Sequence, residues 1–595
     1  MDQHRSARLR TLWMASCLAL AGTVTGCASD DEDVVTVSSA PSAPTTTSGT
    51  GVKTGTTAAT STTATTTTST PTAGTTATSA GSSTGTAGSA SPAPSSPTAT
   101  AAQVTPSGTL GLGACVASGK GTDYQVGPDK PYASLDAVPW ENLKAGDTVR
   151  IHYSATPYRS KFMIGAVGTQ AAPVRICGVR GPNNERPIID GNGATTRAAL
   201  LPVYGNTAET QEIHQARDII TIKAPANGAY EAYPNWIVID GLNIRAGHPN
   251  YTFRNAAGVT KPYDAFGACI WIDRGQNILI ADNEISDCPM AIFTKSLDEG
   301  NFAVTKNIRI AGNYLWGHGI VGDDHMHTTY TESVNLTIEH NRYGPLRSGA
   351  LGNSIKDRSA GLVVRYNRIE GGARDIDMVE AEDFPKTATA LSAYRSTYVY
   401  GNQIRKNGDE GSFFHYGGDH FGAPAGANWG ETLFRQGTLY FFNNTVHGTG
   451  RNARIFQIST TLETVEAWNN VFWFDSTVTE LNLRQSENDT LSASYTPDGI
   501  LNLGVNWIRT GWTDTTQWKT LKGQVKGTAN LITGATVPFD TGTFIPLACS
   551  VILDAAQSAP AGAAAYGVNY QLDASLQPVA RPINNGRMDL GAVER

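Results

Sequence analysis

The sequence predicts an all-β chain folded as a right-handed parallel β-helix. Three observations predict it: a short motif that recurs around an asparagine, spacings too short for a self-sufficient unit, and β-type alternation without a helical stripe. The motif reads apolar, any, any, Asn, any, apolar, and recurs seven times from Ile280 to Ile285 through Ala467 to Phe472, with asparagines at 283, 313, 341, 367, 402, 444 and 470. Successive asparagines stand 30, 28, 26, 35, 42 and 26 residues apart. A unit of that length cannot bury its own apolar face and has to stack on its neighbours. Within each unit the apolar residues alternate and are mostly β-branched or aromatic, which suits strands. An asparagine at the same corner of every coil tolerates the left-handed backbone of the bend, and its amide can bond the next coil in a ladder. A propeller has similar spacing but four strands per blade, and these units are too short and unequal for that.

The amino end carries Arg5, Arg8 and Arg10, then the apolar run Leu12 to Val24, then Thr25-Gly26-Cys27. A basic start, a short apolar stretch and small residues before a cleavage point describe a secretory signal. Its Val-Thr-Gly-Cys ending resembles a bacterial lipobox, which implies cleavage before Cys27 and lipidation of its thiol; an ordinary signal peptide with an incidental cysteine is the competing reading. Residues 1–26 are therefore expected to be a lipoprotein signal peptide. Residues 27–109 are expected to be the lipidated cysteine and a disordered tether, because Thr, Ser, Ala, Gly and Pro with almost no aromatics cannot bury enough surface to order. As a flexible coil of roughly 75 residues it would span about 50 Å. The expected location is that of an exported bacterial lipoprotein, anchored to the outer membrane or cell surface through Cys27.

Residues 110–595 read as one long β-helix domain, expected to be a monomer. With 45 basic against 52 acidic residues the formal charge is -7, which gives no reason to expect a nucleic-acid partner. A polyanionic ligand would need a local basic patch. Cys115, Cys177, Cys269, Cys288 and Cys549 remain in the body. Disulfides persist in an export compartment, and Cys269 with Cys288 is the favoured pair, since 19 residues put them on neighbouring parts of one coil. No cysteines have the close spacing of a zinc site. The segment Asp123 to Gly193 resembles the capping region and first coils of secreted β-helix proteins, which implies a short helix plugging the open end; Ser134 to Leu143 is the candidate. Central coils run from Trp236 to Phe474. Gly504 to Ile508 and Asp589 to Glu594 resemble the carboxyl-terminal coils of the same superfamily.

The strand before each asparagine corner carries the candidate chemistry. Those strands include His327 to Glu332, Ser354 to Arg358, Asp375 to Val379 and Phe413 to Gly417. Successive side chains of a strand face opposite ways. Placing Thr329, Ile355, Ile376 and Phe414 in the core therefore turns Tyr330, Lys356, Asp377 and His415 outward as an exposed row about 15 Å long at about 4.8 Å per coil. Glu332 and Arg358 follow two residues on, and Ser354 and Asp375 lie to the other side. The longest interval, before Asn444, holds the Gly- and Ala-rich insertion Gly417 to Thr432 with His420 and Trp429, and reads as a wall of the site.

His327-Thr328-Thr329-Tyr330, Ile355-Lys356-Asp357-Arg358 and Ile376-Asp377 fall in order on consecutive coils within about 50 residues. This segment resembles secreted bacterial β-helix proteins of the pectate-lyase-like superfamily, nearest to alginate-lyase and chondroitinase-B-type lyases. The resemblance implies a polysaccharide lyase that takes the C5 proton of a uronic acid and expels the O4 leaving group. Such chemistry needs positive charge at the C6 carboxylate, a base and an acid. The expected roles are Arg358 as carboxylate clamp, Lys356 as base with its pKa lowered by Arg358, and Tyr330 or His327 as acid. Asp377, His415, Glu332, Tyr416, His420 and Trp429 are expected to contact an acidic polysaccharide. Asp375, Asp377 and Glu380 are the expected Ca²⁺ site, with no other cofactor.

Three other readings stand beside this one. Outward Lys, Arg and Asp can be a solubilising ion-pair ladder of little energy. A glycoside hydrolase on the same fold would use Asp375, Asp377, or Asp323 with Asp324 as paired carboxylates, although the Gly317-His318-Gly319 and Asp323-Asp324 likeness to polygalacturonases runs in reversed order. A non-catalytic adhesin or glycan-binding lipoprotein is the third. His318 reads as a turn residue, and Glu380 to Asp383 also reads as a solvated loop.

Overall fold

A computed structural model describes residues 112–423, 427, 429–485, 498–515 and 523–595. The expected signal peptide and tether lie outside the described residues. Three long sheets of thirteen, fourteen and eleven strands make up the body. Apart from the antiparallel pair Thr252–Arg254 and Thr260–Pro262 at one edge of the fourteen-stranded sheet, their neighbours run parallel, as where Gln276–Ala281, Lys306–Ala311, Val334–Glu339 and Ala360–Arg365 stack in turn. Each circuit of the chain adds one strand to each sheet and then climbs one position. The fold is a parallel β-helix, as the sequence predicts.

Both apolar positions of the motif become core columns. Ile280 pairs with Ile310, Ile310 with Ile338 and Ile338 with Val364. Around the corner Ile285, Leu315, Tyr343, Ile369 and Ile404 do the same in the eleven-strand sheet. These side chains are fully buried, each adding about 1.5–3 kcal/mol relative to exposure.

The asparagine ladder is present and one rung longer than the seven copies. Asn283 Nδ2 donates to Asn313 Oδ1 at 3.1 Å, Asn313 to Asn341 at 3.0 Å, and the series continues through Asn367, Asn402, Asn444 and Asn470 to Asn506. Asn506 sits in Leu503 to Ile508, which fits the same motif. Each Oδ1 also accepts the backbone N–H of the asparagine one coil before it. The expected backbone geometry is corrected, however. The left-handed residue is the one preceding each asparagine: Asp282, Gly312, His340, Tyr366, Gly401, Asn443 and Asn469, with φ from 49° to 67°. The bend is completed one residue earlier, which leaves the buried amide aligned along the stack. A second ladder, at the half-buried to exposed Asn235, Asn277, Asn307 and Asn335, does use left-handed asparagines at its last three rungs.

The amino-terminal plug is two 3₁₀ turns, Leu135–Ala137 and Trp140–Asn142, and not one helix. Extended Val138 and then Pro139 interrupt it. Trp140 still seals the core, its ring stacked 3.8 Å from Phe162. An α-helix at Ala208–Arg217, capped reciprocally by Thr207 and Thr210, precedes the strand Asp218–Ile222. Cys269–Cys288 is bridged as expected, Cys115–Cys177 is a second disulfide, and Cys549 is free. The closing segment does not extend the stack as its resemblance implied. It runs back over the outside, where Tyr566 stacks on Tyr398 at 3.6 Å, Tyr366 Oη donates to Gly567 O, and Ala592 N donates to Thr445 Oγ1. It thereby covers an aromatic column that water would otherwise face.

Candidate functional site

The predicted register holds. Thr329, Ile355, Ile376 and Phe414 pair across four coils, and Tyr330, Lys356, Asp377 and His415 pair one position along. The row is nonetheless not exposed, since Lys356, Asp377 and His415 are only 6%, 0% and 1% accessible. The insertion folds onto it. Its Gly418 N–H donates to Ser459 Oγ at 3.0 Å, and the N–H groups of Asp419 and His420 donate to Glu380 at 3.0 and 3.2 Å. Glu380, weighed as part of a solvated loop, is fully buried.

Asp377 is the hub. Its Oδ2 accepts from Lys356 Nζ and from Asn353 Nδ2, both at 2.8 Å, and its Oδ1 from His415 Nδ1 at 2.8 Å. His415 Nε2 lies 3.1 Å from Ser459 Oγ. That gives an Asp-His-Ser relay, but Ser459 is fully buried and its hydroxyl donates to Gly418 O, so it presents no nucleophile. Lys356 also pairs with Asp419. Arg358 gathers the rest: its Nε donates to Tyr330 Oη at 2.9 Å, its Nη1 to Glu380 O at 2.8 Å, and its Nη2 lies 3.4 Å from both Asp419 and Glu382. His420 Nδ1 bonds Glu380 Oε1 at 2.8 Å, and its ring lies 5.6 Å from that of Trp429.

These contacts set the proton affinities. Burial alone would lower Lys356, but Asp377 and Asp419 outweigh it and hold its pKa above the usual lysine value. The expectation that Arg358 frees Lys356 to act as a base is therefore reversed. Burial alone would raise Asp377, yet Lys356 prevails and holds its carboxyl well below the usual range. Asp419 is held low in the same way, against its burial, by Arg358 and Lys356. Burial pushes Tyr330 up and keeps it protonated despite Arg358. Burial lowers His327 to about 3, so it is neutral; its Nδ1 accepts the Asn353 N–H at 2.9 Å, which leaves its proton on Nε2. Glu332 is buried with its carboxyl pushed well above the usual range, by desolvation first and by Asp383 next.

Other sequence assignments are corrected. Tyr416 belongs to the solenoid core and not to a binding surface, because it pairs with core Met378 and Ile458. Asp375 is sealed away from Asp377: its oxygens have no hydrogen-bond partner, its charged neighbours are Lys406 and Glu410, and burial raises it well above the usual range. Asp375, Asp377 and Glu380 therefore do not come together as a Ca²⁺ site. Among the described residues the groupings of potential ligands are Glu380 with Asp419 and His420, and the more open Asp323, Asp324 and His325. The first does not fit a divalent cation, since Arg358 already lies 3.5 Å from Glu380 and 3.4 Å from Asp419. In the second, His325 already lies 2.8 Å from Asp324 and 3.4 Å from Asp323. His318 is a structural residue, fully buried with its two ring nitrogens on the carbonyls of Cys288 and Ile285. Sequence reasoning missed Asp419, Asn353, Glu382 and Ser459. For Asp419 the sequence does hold a signal, its place within the insertion Gly417 to Thr432.

No protein-family model matches the chain, and no curated protein matches it in sequence. Solved structures similar to it include an alginate lyase from Paenibacillus sp. str. FPU-7, 14% identical over 57% of this chain and 92% of that one, with a TM-score of 0.33. The pectate lyase Pel9A is 10% identical over 80% and 96%, with a TM-score of 0.34. A GH136 lacto-N-biosidase from Eubacterium ramulus is 13% identical over 60% and 64%, also with a TM-score of 0.34. At these values no residue role is carried across from them.

Proposed function

We propose that this chain is a carbohydrate-active enzyme that cleaves a uronic-acid polysaccharide by β-elimination on the outer wall of its solenoid. One observation carries the reading. A register position filled in earlier coils by Thr221, Trp271 and Phe293 is taken in the next four by Tyr330, Lys356, Asp377 and His415, joined through ion pairs and hydrogen bonds. The fold does not ask for charge there, and buried ion pairs are often no more stable than apolar packing. A cluster of this kind under a long loop is better explained by chemistry than by scaffolding.

On this reading Lys356 and Arg358 supply the positive charge for the sugar carboxylate. Asp419, which now partners both, is the group that a uronate would displace. Glu382 takes the C5 proton: it and Asp419 are the cluster carboxylates with about a quarter of the side chain open and 3.4 Å from Arg358, and Glu382 is the one that does not also pair with Lys356. The electron pair forms the C4=C5 bond, and O4 leaves with the proton of Tyr330, while the His327 Nε2–H offers a further hydrogen bond. Lys356→Ala and Arg358→Ala should each slow cleavage by about 10²-fold or more. The measurement is the ultraviolet absorbance of the new double bond over a panel of uronic-acid polymers; undiminished cleavage by both variants would sink the assignment.

A glycoside hydrolase is the second reading, favoured by Glu332, whose carboxyl is pushed up by burial and by its neighbours Asp383 and Glu382, a grouping of carboxyls that resembles an acid paired with a base. It predicts new reducing ends without that absorbance. We also propose export and anchoring through Cys27, which the two disulfides support.

A further inference from the structure

We propose a second subsite on the same wall, formed by Lys223, Arg274 and Lys295, that binds an anionic sugar residue of the polysaccharide several coils toward the amino-terminal end. It rests on the wall's being a polysaccharide-binding face, and adds where the chain lies and which groups read its charge.

Placement comes from the ladder. The strands Asp218–Ile222, Ala268–Ile272, Met290–Thr294, Thr329–Thr331 and Ile355–Asp357 lie side by side. The residue after each one donates its N–H to the strand below: Asp273 to Ile222 O, Lys295 to Ile272 O, Glu332 to Thr294 O and Arg358 to Thr331 O, at 2.8–3.1 Å. Lys223, Asp273, Lys295, Glu332 and Arg358 therefore form one column along the solenoid axis. Four steps of about 4.8 Å put Lys223 about 19 Å from Arg358, a reach suited to several linked sugars and not to one.

The lower end of this column opens into a pocket of about 160 Å³ lined by Asn206, Lys223, Tyr230, Asp273 and Arg274 among others. Tyr230 is 52% exposed, its hydroxyl bonds Glu299, and the Arg274 guanidinium lies over its ring and that of Phe302 at 5.8 and 5.2 Å. An open phenol ring beside a polar pocket suits the apolar face of a sugar, with hydroxyls left to the polar groups.

Charge distinguishes this pocket from the buried cluster. Lys356 and Arg358 each hold carboxylates already. By contrast Lys223 Nζ donates to the Ala224 carbonyl at 2.9 Å, and Arg274 Nη1 to the carbonyls of Tyr230 and Ala232 at 2.8 and 3.4 Å. Among the described residues no ion pair within 4 Å joins Lys223, Arg274 or Lys295 to a carboxylate. The anions these cations share are Asp273, on which Lys295, Lys223 and Arg274 act, and Asp383, on which Lys295 acts; His214, lowered by burial to about 3, adds no charge. Burial lowers Lys223 in spite of Asp273, the cost of burying an ammonium with no carboxylate within 4 Å among the described residues, which a sugar carboxylate or sulfate would offset.

The test is affinity electrophoresis of the intact protein through gels containing polygalacturonate, alginate or chondroitin sulfate, with glucomannan as neutral control. Arg274→Gln with Lys295→Gln should weaken retardation by the acidic polymer that holds the native protein about tenfold, and leave glucomannan unaffected. Lys223→Gln should do the same. If that change compromises folding, the partly exposed pair decides alone. In cleavage assays the pair should raise KM for long chains and leave kcat unchanged. Native retardation and cleavage with unaltered behaviour of the variants would overturn this inference and spare the proposed function. A native protein that neither binds nor cleaves any of the acidic polymers would overturn both.

Discussion

Asp377 has both carboxylate oxygens committed, to His415 on one side and to Lys356 and Asn353 on the other. Removing it would leave a buried ammonium and a buried imidazole short of their acceptor. Asp377→Ala should therefore cost about 3–5 kcal/mol in urea unfolding, and a loss under about 1 kcal/mol would contradict the hub role. Asp419 differs, because Lys356 keeps Asp377 and Arg358 keeps Glu380 and Glu382 when it is gone. Asp419→Asn should cost only about 1 kcal/mol and should lower KM for an acidic polymer, since the internal competitor is weakened. A raised KM would instead make Asp419 a substrate-binding group. The sign with pH is definite for Asp377. Its folded pKa lies below the unfolded value of about 3.9, so its contribution is complete above that value and is lost as pH falls through the lower folded pKa.

At the level of the element, the two ladders make an internal comparison. Asn341 is buried, with its amide between Asn313 and Asn367 and its Oδ1 on the Asn313 N–H. Asn341→Ala strands several of these groups and should lower stability by about 2–3 kcal/mol. Asn335 is exposed and left-handed, with φ 61°, and Gly361 holds the same place one coil on. Asn335→Gly should change stability by no more than about 0.5 kcal/mol. Equal shifts in melting temperature for the two would mean that burial is not what gives the inner ladder its strength.

Across the described residues, His214, His248, His318, His327, His340 and His447 are lowered to about 3–4, in each case by burial first. Their folded pKa values lie below the unfolded value of about 6.5, so these rings take up more protons in the unfolded chain between about 6.5 and 4, and their contribution to stability falls as pH drops through that window. Asp218 and Glu463, raised to about 7, act in the opposite sense, as do Glu332 and Asp375, pushed well above the usual range, and Asp240, Asp383 and Glu594, all raised by burial first. The sequence by itself determined the stacking, the asparagine rungs, the Cys269–Cys288 bridge and the register of Tyr330, Lys356, Asp377 and His415. Each of these follows from a period along one chain, which sequence spacing records directly. Only the tertiary structure decided that the row is covered, that Asp419 neutralises Lys356 and Arg358, that Asp375 and Tyr416 are withdrawn from the site, and that among the described residues no carboxylate comes within 4 Å of Lys223, Arg274 or Lys295. Those outcomes depend on where an aperiodic insertion comes to rest and on desolvation by residues distant in sequence, and neither quantity has a period to read.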